Sequence, residues 1–368
     1  MSKTVLLTAG GTGGHLFPAQ ALASELLRRG WTVELATDER ADKYGSEFPA
    51  RRVHIIASET IRGRNPLSLA KTAFSLLFGT LQARKVIKTL KPDVVAGFGG
   101  YPTFPPMYAA RLTGTPSILH EANGVMGRAN RMLAKGVTAI ATSIPIDGLP
   151  GELSQKLVET GNPVRDAVLT AAELPYVPPQ AGGEFKLLVF GGSQGARYFS
   201  DLVPPAIEKL PADLRTRLCI VQQCRPEDME RVQQAYDGLG VKAECAPFFM
   251  DMPQRIAQAH LVVCRSGASS VSELSVLGRP SLLVPLPGAI DQDQAANARV
   301  LEKAGGAWPV RQADLDADRL AAELTRFMAS PDILAQAAEN AKSVAKPDAV
   351  KRLADLVERI ANKQGERP

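Results

Sequence analysis

Three stretches hold residues able to receive a charged leaving group and to activate a hydroxyl. The first is Gly10-Gly11-Thr12-Gly13-Gly14-His15, directly after the apolar run Lys3 to Ala9. Glycines let a backbone come close to an anion, and a helix beginning there offers unpaired N–H groups with partial positive charge. His15 brings one titratable side chain to the same spot. The second stretch, Gly191-Gly192-Ser193-Gln194-Gly195-Ala196-Arg197, follows the apolar run Phe185 to Phe190 and repeats that logic. The third and richest runs from Cys264 to Asn297. There Arg265-Ser266-Gly267-Ala268-Ser269-Ser270 opens a helix suited to a diphosphate, and Glu273 falls about one turn inside it. A carboxylate so placed either accepts from two ribose hydroxyls or caps the helix with Ser269 or Ser270. Downstream, Asp291-Gln292-Asp293-Gln294 gathers carboxylates and amides, which suit sugar hydroxyls that each need a donor and an acceptor. The opening loop is not a dinucleotide fingerprint, because Leu16 stands where the third glycine belongs, and no Gly-Lys-Ser/Thr makes it a P-loop.

Elements able to position these loops are legible as alternating patterns. Strands are expected at Lys3–Ala9, Thr32–Thr37, Arg52–Ile56, Pro92–Phe98, Pro116–Glu121, Ala139–Thr142 and Val158–Pro163, with helices over Leu16–Arg29, Leu67–Leu90 and Thr103–Arg111. The alternation lapses between 166 and 183, where Pro175, Pro178, Pro179, Gly182 and Gly183 crowd together, and then restarts with Phe185–Phe190. Strands alternating with helices imply parallel sheets that bind ligands at their carboxyl ends. The expected fold class is α/β, with two facing Rossmann-like doubly wound domains and a cleft between them. The domains are placed at 1–165 and 184–345, joined by a linker over 166–183. A last helix over 346–368 is expected to pack back on the first domain.

Composition bounds the function. Among 368 residues, 45% are hydrophobic, enough for sizeable cores. Lysine and arginine total 43 against 38 acidic residues, a net +5 that permits anionic substrates or lipid but is too mild for a nucleic-acid stripe. Cys219, Cys224, Cys245 and Cys264 lack the spacing of a zinc or redox motif and read as small apolar residues in a reducing compartment. No apolar run approaches the roughly 20 residues of a membrane span, and no signal-peptide pattern opens the chain. A cytoplasmic protein with at most a peripheral membrane contact is expected.

Taken in order, GGTGGH, GFGGYPTFPP, HEANGVMGRANR, GNPVR, GGSQGAR, CRSGASSVSEL and DQDQAANA resemble the motifs of the MurG family over Thr8 to about Gly306. That resemblance implies the type B glycosyltransferase fold. It also implies inverting transfer of N-acetylglucosamine from UDP-N-acetylglucosamine to the C4 hydroxyl of undecaprenyl-pyrophosphoryl-N-acetylmuramoyl-pentapeptide, for peptidoglycan synthesis at the inner face of the cytoplasmic membrane. By resemblance, Thr12, Gly13 and Gly14 lie beside the donor and Asn123 meets its sugar. Arg165 and Ser193 face the nucleotide and its phosphates. Ala268, Ser269, Ser270, Val271, Ser272 and Glu273 hold diphosphate and ribose, Gln294 holds hexose hydroxyls, and Phe249 meets uracil through its backbone. Two positions depart from the family: Ala122 replaces the usual glutamine, and Asp293 stands where glutamine or histidine is common. His15 is the candidate general base and Glu121 its rival. No metal or other cofactor is required, because helix N-termini and Arg165 can receive the charge on departing UDP.

The helical pattern from Leu67 to Lys91 carries Leu69, Phe74, Leu77, Phe78 and Leu81 beside Lys71, Arg84, Lys85, Lys88 and Lys91. It is either an interfacial helix on anionic lipid or an ordinary core-facing helix with a basic outer face. Arg62 and Arg64, just before it, are expected to reach the acceptor diphosphate. Rival readings are a UDP-N-acetylglucosamine 2-epimerase, a nicotinamide-dependent dehydrogenase, which Leu16 disfavours, and a non-catalytic UDP-sugar binder.

Overall fold

The computed structural model describes residues 2–10, 13–39, 48–58, 65–146, 149–288 and 293–365, with the side chains of 66–70, 193–195 and 364–365 excepted. The chain divides into two compact units, Met1–Arg165 with Pro347–Pro368, and Asp166–Lys346.

In the first unit the strands are β1 (Thr4–Thr8), β2 (Thr32–Thr37), β3 (Arg52–Ile55), β4 (Val94–Gly97), β5 (Ser117–Glu121), β6 (Ala139–Thr142) and β7 (Leu157–Glu159). They form a seven-stranded parallel sheet in the order β3-β2-β1-β4-β5-β6-β7. Its helices are α1 (Gly13–Arg28), α2 (Pro66–Leu90), α3 (Phe104–Thr113), α4 (Arg128–Leu133) and α5 (Gly151–Ser154). Both faces of the sheet are covered, which is why β1 reads as an unbroken apolar run rather than an alternating one. Val5 and Leu7 pack with Leu22 and Leu26 of α1, while Leu6 faces the other way among Ile87 of α2 and Met107 of α3. Helix α2 lies so near the segment after β3 that a Cβ on Gly79 would stand 2.0 Å from the Ala57 carbonyl oxygen.

The second unit opens with α6 (Asp166–Ala171). Its strands are β8 (Phe185–Phe190), β9 (Leu218–Gln223), β10 (Lys242–Ala246), β11 (Leu261–Cys264), β12 (Ser281–Leu283) and β13 (Ala307–Pro309). They pair in parallel in the order β10-β9-β8-β11-β12-β13. The helices between and after them are α7 (Gly192–Glu208), α8 (Ala212–Arg215), α9 (Met229–Gly238), α10 (Met252–Gln258), α11 (Ala268–Leu277), α12 (Asp293–Ala304), α13 (Ala317–Ala329) and α14 (Pro331–Ser343). The final helix, α15 (Ala349–Gly365), returns to the first unit and lays Leu353, Ala354 and Val357 in the core beside α1. Arg29, just past the end of α1, binds Asp355 at 2.6 Å and Glu358 at 2.9 Å there.

The stretch expected as a linker, 166–183, lies within the second unit. Val168 of α6 is fully buried, and the fully buried Arg279 donates to the Leu174 carbonyl at 2.9 Å. The Tyr176 hydroxyl donates to the His260 carbonyl at 2.9 Å. Proline and glycine density marked irregular backbone but could not reveal that buried donors and acceptors fasten it. Helix α1 starts at Gly13, before the expected Leu16, and α7 starts at Gly192. Their glycines form the first helical turn, so the N–H groups of that turn come from the loops themselves. The four cysteines are free thiols, half-buried or buried.

Replacing Leu353, only 1% exposed, with alanine removes side-chain packing between α15 and α1. Chemical denaturation is expected to show a loss of about 2–4 kcal/mol in stability at an unchanged slope.

Candidate active site

In each unit the strand order reverses once, between β1 and β4 and between β8 and β11. At such a point the chains leave neighbouring strands in opposite directions and open a crevice at their carboxyl ends. The glycine-rich loops lie there.

In the first unit, the Gly10 N–H donates to the Gly99 carbonyl at 3.2 Å, closing the gap between the ends of β1 and β4. Gly99 and Gly100 take φ values of +91° and +79°, which glycine adopts freely. The Thr103 hydroxyl donates to the Gly99 carbonyl at 2.7 Å and fixes the turn. The imidazole of His15, half-buried in the first turn of α1, lies against this backbone. A Cβ on Gly10 or Gly99 would come within 3.3 Å of the ring, and one on Gly100 within 3.4 Å. The glycines thus make a flat seat for one histidine. Beneath it, His120 is 2% exposed, with Nε2 3.3 Å from both the Gly161 carbonyl and the Ser143 hydroxyl. Burial, helped by nearby His15, holds His120 down at about 4, against the pull of the Gly161 carbonyl, so it is neutral at physiological pH.

Glu121, at the end of β5, is 2% exposed. One carboxylate oxygen accepts the backbone and side-chain N–H groups of Asn123, both at 3.1 Å. The other accepts the Gly127 N–H at 2.9 Å and the Asn130 amide at 2.8 Å. Burial pushes the carboxyl up, and these donors pull it back. The side chain therefore acts as the anchor of the loop 122–127, in which Ala122 is buried and Asn123 turns its amide to Glu121. Arg165 stacks on Phe17 of α1, its guanidinium carbon 4.0 Å from the ring centroid. Gly13 and Gly14 lie in the first turn of α1. Thr12, Arg62 and Arg64 lie outside the described residues.

In the second unit, α11 starts after β11 and the turn Arg265-Ser266-Gly267, with Gly267 at its N-cap. Ala268 and Val271 are buried, Ser269, Ser270 and Ser272 half-buried, and Glu273 is 9% exposed. Gln294, near the start of α12, is tied to the same turn. The Ser266 hydroxyl donates to its backbone carbonyl at 2.9 Å, and its side-chain oxygen accepts the Leu286 N–H at 3.0 Å. Asp293 accepts the Gln294 N–H at 2.9 Å, the role of a helix N-terminal carboxylate. Asp291 and Gln292 lie outside the described residues. Phe249 is 5% exposed, and Arg255, held by Glu244 at 2.7 Å and Asp251 at 2.8 Å, stacks 4.3 Å from its ring centroid. Ser193 is the second residue of α7. Among the described residues, no group of three or more His, Cys, Asp or Glu is placed to hold a metal ion.

Several supporting residues escaped sequence reasoning. The Gln223 side chain accepts the Gly192 N–H at 3.1 Å and donates to the Pro247 carbonyl at 3.2 Å, joining the start of α7 to the turn that carries Phe249. Arg265 donates to the Val284 carbonyl at 3.1 Å and to Gln312 at 2.7 Å from beneath α11. His120, Asn130 and Glu121 work as a group. The histidine and asparagine are in the quoted motifs, but only pairing across the sheet shows what they touch.

On α2, Phe74, Leu77, Phe78 and Leu81 are 71%, 61%, 50% and 55% exposed, while Ala83 and Ile87 enter the core. This helix is thus not ordinary: its core side is the narrow one, and its largest described apolar side chains face outward. No helix among the described residues is long and apolar enough to cross a membrane.

With the carboxylate of Glu121 surrounded by donors, Glu121→Gln must turn one amide N–H toward another N–H. Hydrogen exchange at Asn123 and Gly127 is expected to accelerate, corresponding to about 1–3 kcal/mol of local stability.

Comparison with known proteins identifies the family. Residues 5–142 match the glycosyltransferase family 28 N-terminal domain and residues 186–353 its C-terminal domain. A relative from Chelativorans sp. (strain BNC1) is 57% identical over 360 residues, 98% of this chain and 96% of its own. Its name is UDP-N-acetylglucosamine--N-acetylmuramyl-(pentapeptide) pyrophosphoryl-undecaprenol N-acetylglucosamine transferase. The crystal structure of Acinetobacter baumannii MurG superposes with a TM-score of 0.76 at 30% identity, covering 97% of this chain and 99% of that one. A UDP-N-acetylglucosamine 2-epimerase superposes with a TM-score of 0.68 over 100% of this chain and 99% of its own, but at 16% identity that likeness shows the fold alone. The chain belongs to the MurG family, within glycosyltransferase family 28.

Proposed function

We propose that this chain moves N-acetylglucosamine from UDP-N-acetylglucosamine to the C4 hydroxyl of undecaprenyl-pyrophosphoryl-N-acetylmuramoyl-pentapeptide, inverting the anomeric centre. The observation that carries the chemical part is the half-buried His15 seated on Gly10, Gly99 and Gly100 at the strand-order reversal of the first unit. The acceptor oxygen must lose its proton as it attacks the anomeric carbon, and His15 is the group that takes it. Glu121 is the positioning residue of this pair rather than the base, because both its oxygens already hold the loop 122–127.

UDP leaves with added negative charge. The first turn of α11, from Ala268 to Ser270, receives its phosphates, and Arg165, Ser193, Thr12, Gly13 and Gly14 are donor-contacting residues. Glu273 accepts the ribose hydroxyls, with Val271 and Ser272 on the same turn. Phe249 offers its backbone to uracil, and Gln294 and Asn123 meet the hexose. The exposed side chains Phe74, Leu77, Phe78 and Leu81 dock α2 on the cytoplasmic face of the inner membrane, where Arg62 and Arg64 approach the acceptor diphosphate.

Labelled UDP-N-acetylglucosamine with a short-chain acceptor analogue tests the reading. A disaccharide-lipid product is expected, whereas donor binding without product, or epimerisation of the donor alone, would overturn it. His15→Ala is expected to lower kcat by about 10²–10⁴-fold with donor Kd unchanged; equal activity removes His15 as base. Glu273→Ala should weaken donor binding by about 1.5–3 kcal/mol, measured by calorimetry, and an unaltered Kd refutes the ribose assignment.

A further inference from the structure

At the carboxyl ends of β9 and β10 two cysteines share a polar cluster that no role above uses. The strands pair in parallel with Gln222 opposite Cys245. The Cys224 N–H extends the ladder by donating to the Ala246 carbonyl at 3.0 Å. Side chains alternate along a strand, so Gln222, Cys224 and Cys245 fall on one face. There Cys224 lies in the core cluster that holds Val232 and Tyr236, and Cys245 packs against that cluster. Cys224 is fully buried, whereas Cys245, on the edge strand β10, is half-buried. The two thiols lie within hydrogen-bonding reach of each other.

Their surroundings differ from those of an inert core thiol. The Cys245 thiol donates to the Cys224 sulfur and, with the Gln222 amide, holds it below the ordinary thiol range, against the pull of burial. The same contact, together with burial, holds the Cys245 thiol up, so Cys245 keeps the proton that it donates. The buried Tyr236 hydroxyl donates to Gln222 Oε1. Among the described residues, the buried Gln222 Nε2 has no oxygen or nitrogen acceptor, which leaves that amide for the sulfur. Cys219 and Cys264 lack such donors, and burial holds both thiols up. Between Gln222 and Cys224 stands Gln223, whose side chain joins Gly192 to Pro247. Pro247 is two residues past Cys245 and two before Phe249.

We propose that Cys224 and Cys245 form a reversible, peroxide-sensitive disulfide that loosens the uridine end of the donor site. The Cys224 thiolate attacks one oxygen of hydrogen peroxide and the O–O bond breaks. The departing hydroxide takes up a proton and leaves as water, and Cys224 is left as a sulfenic acid. Cys245 then attacks that sulfur, the S–O bond breaks, and the Cys245 proton leaves with the hydroxide as a second water. Two thiols and one peroxide thus become one disulfide and two waters, and an added thiol reverses the change by exchange. Cys224 lies two residues beyond the strand partner of Cys245, so the bond closes only if the ends of β9 and β10 shift. That shift falls on Gln223 and on the turn from Pro247 to Phe249. The effect on the donor rests on the reading of Phe249 given above.

Full-length protein, reduced and then treated with hydrogen peroxide, tests it by mass spectrometry of peptides cut without reductant. A peptide pair linked through Cys224 and Cys245 is expected, with Cys219 and Cys264 still reduced. Cys245→Ser removes the half-buried partner and leaves the core thiol in place. In that variant dimedone is expected to trap a sulfenic acid on Cys224. Calorimetry with UDP reads the coupling. Oxidation of the parent is expected to weaken UDP about fivefold or more, the loss that follows when about one hydrogen bond at the site is given up. Dithiothreitol should restore the affinity, and peroxide should leave that of Cys245→Ser unchanged. Absence of the linked peptides, or dimedone labelling spread over all four cysteines, overturns the disulfide. Linked peptides with unaltered UDP affinity overturn its action on the donor site. Loss of the folded circular dichroism on oxidation would mark damage and overturn the switch. If the reduced parent binds no UDP, the donor reading fails, and the peptide map still decides the disulfide.

Discussion

The hydrogen bond from Gly10 to Gly99 across the ends of β1 and β4 is the contact on which the candidate catalytic crevice depends. Neighbouring parallel strands normally send their chains off toward helices. Where the order reverses, the two chains part, and something must span the gap at the sheet's carboxyl edge. Here the span is bare backbone. Because no Cβ projects from Gly10, Gly99 or Gly100, an imidazole can lie on the peptide planes rather than above a layer of side chains. The same economy of side chains brings one histidine and the first turn of α1 together at the carboxyl edge of the sheet.

The polar interior next to this seat follows a different rule. Taking a carboxylate such as Glu121 out of water is costly unless its lone pairs are met. The chain meets them with donors from Asn123, Gly127 and Asn130, and the loop they belong to is thereby tied to β5. His120 is handled in the opposite manner: burial strips it of charge, leaving a neutral ring below His15. One acid kept engaged and one histidine kept neutral give His15 a surrounding with little freedom to rearrange. In the second unit, Gln223, Arg265 and Gln294 do comparable work by bonding to carbonyls and N–H groups of separate loops. They hold in register the turns before α7 and α11 and the segment at Phe249.

Helix α2 shows how little of a surface helix needs to face a core. Gly79 allows close approach to the segment after β3, and Ala83 and Ile87 complete the inner side. The remainder is free to carry aromatic and aliphatic groups outward, followed by a cationic end around a cavity. Strain at Lys91 sits at the junction of this helix with the sheet, where Pro92 prevents the helix from continuing.

The sequence by itself determined the alternation of strands and helices, the two parallel sheets, the placing of glycine turns directly after β1 and β8, and the family. These are local or near-local matters: apolar runs bounded by glycine and proline, and motifs in a fixed order. Only the tertiary structure decided which of the named groups are engaged. That Glu121 anchors a loop, that His120 is neutral, that Gln223 joins two turns and that residues 166–174 are fastened by Arg279 all depend on partners far along the chain. So does the outward turn of Phe74 and Phe78, since a helical pattern of apolar residues is the same whether it meets a core or water. Which side is buried is set by what packs against it, here Ala57 and α3, and no periodicity within α2 contains that information.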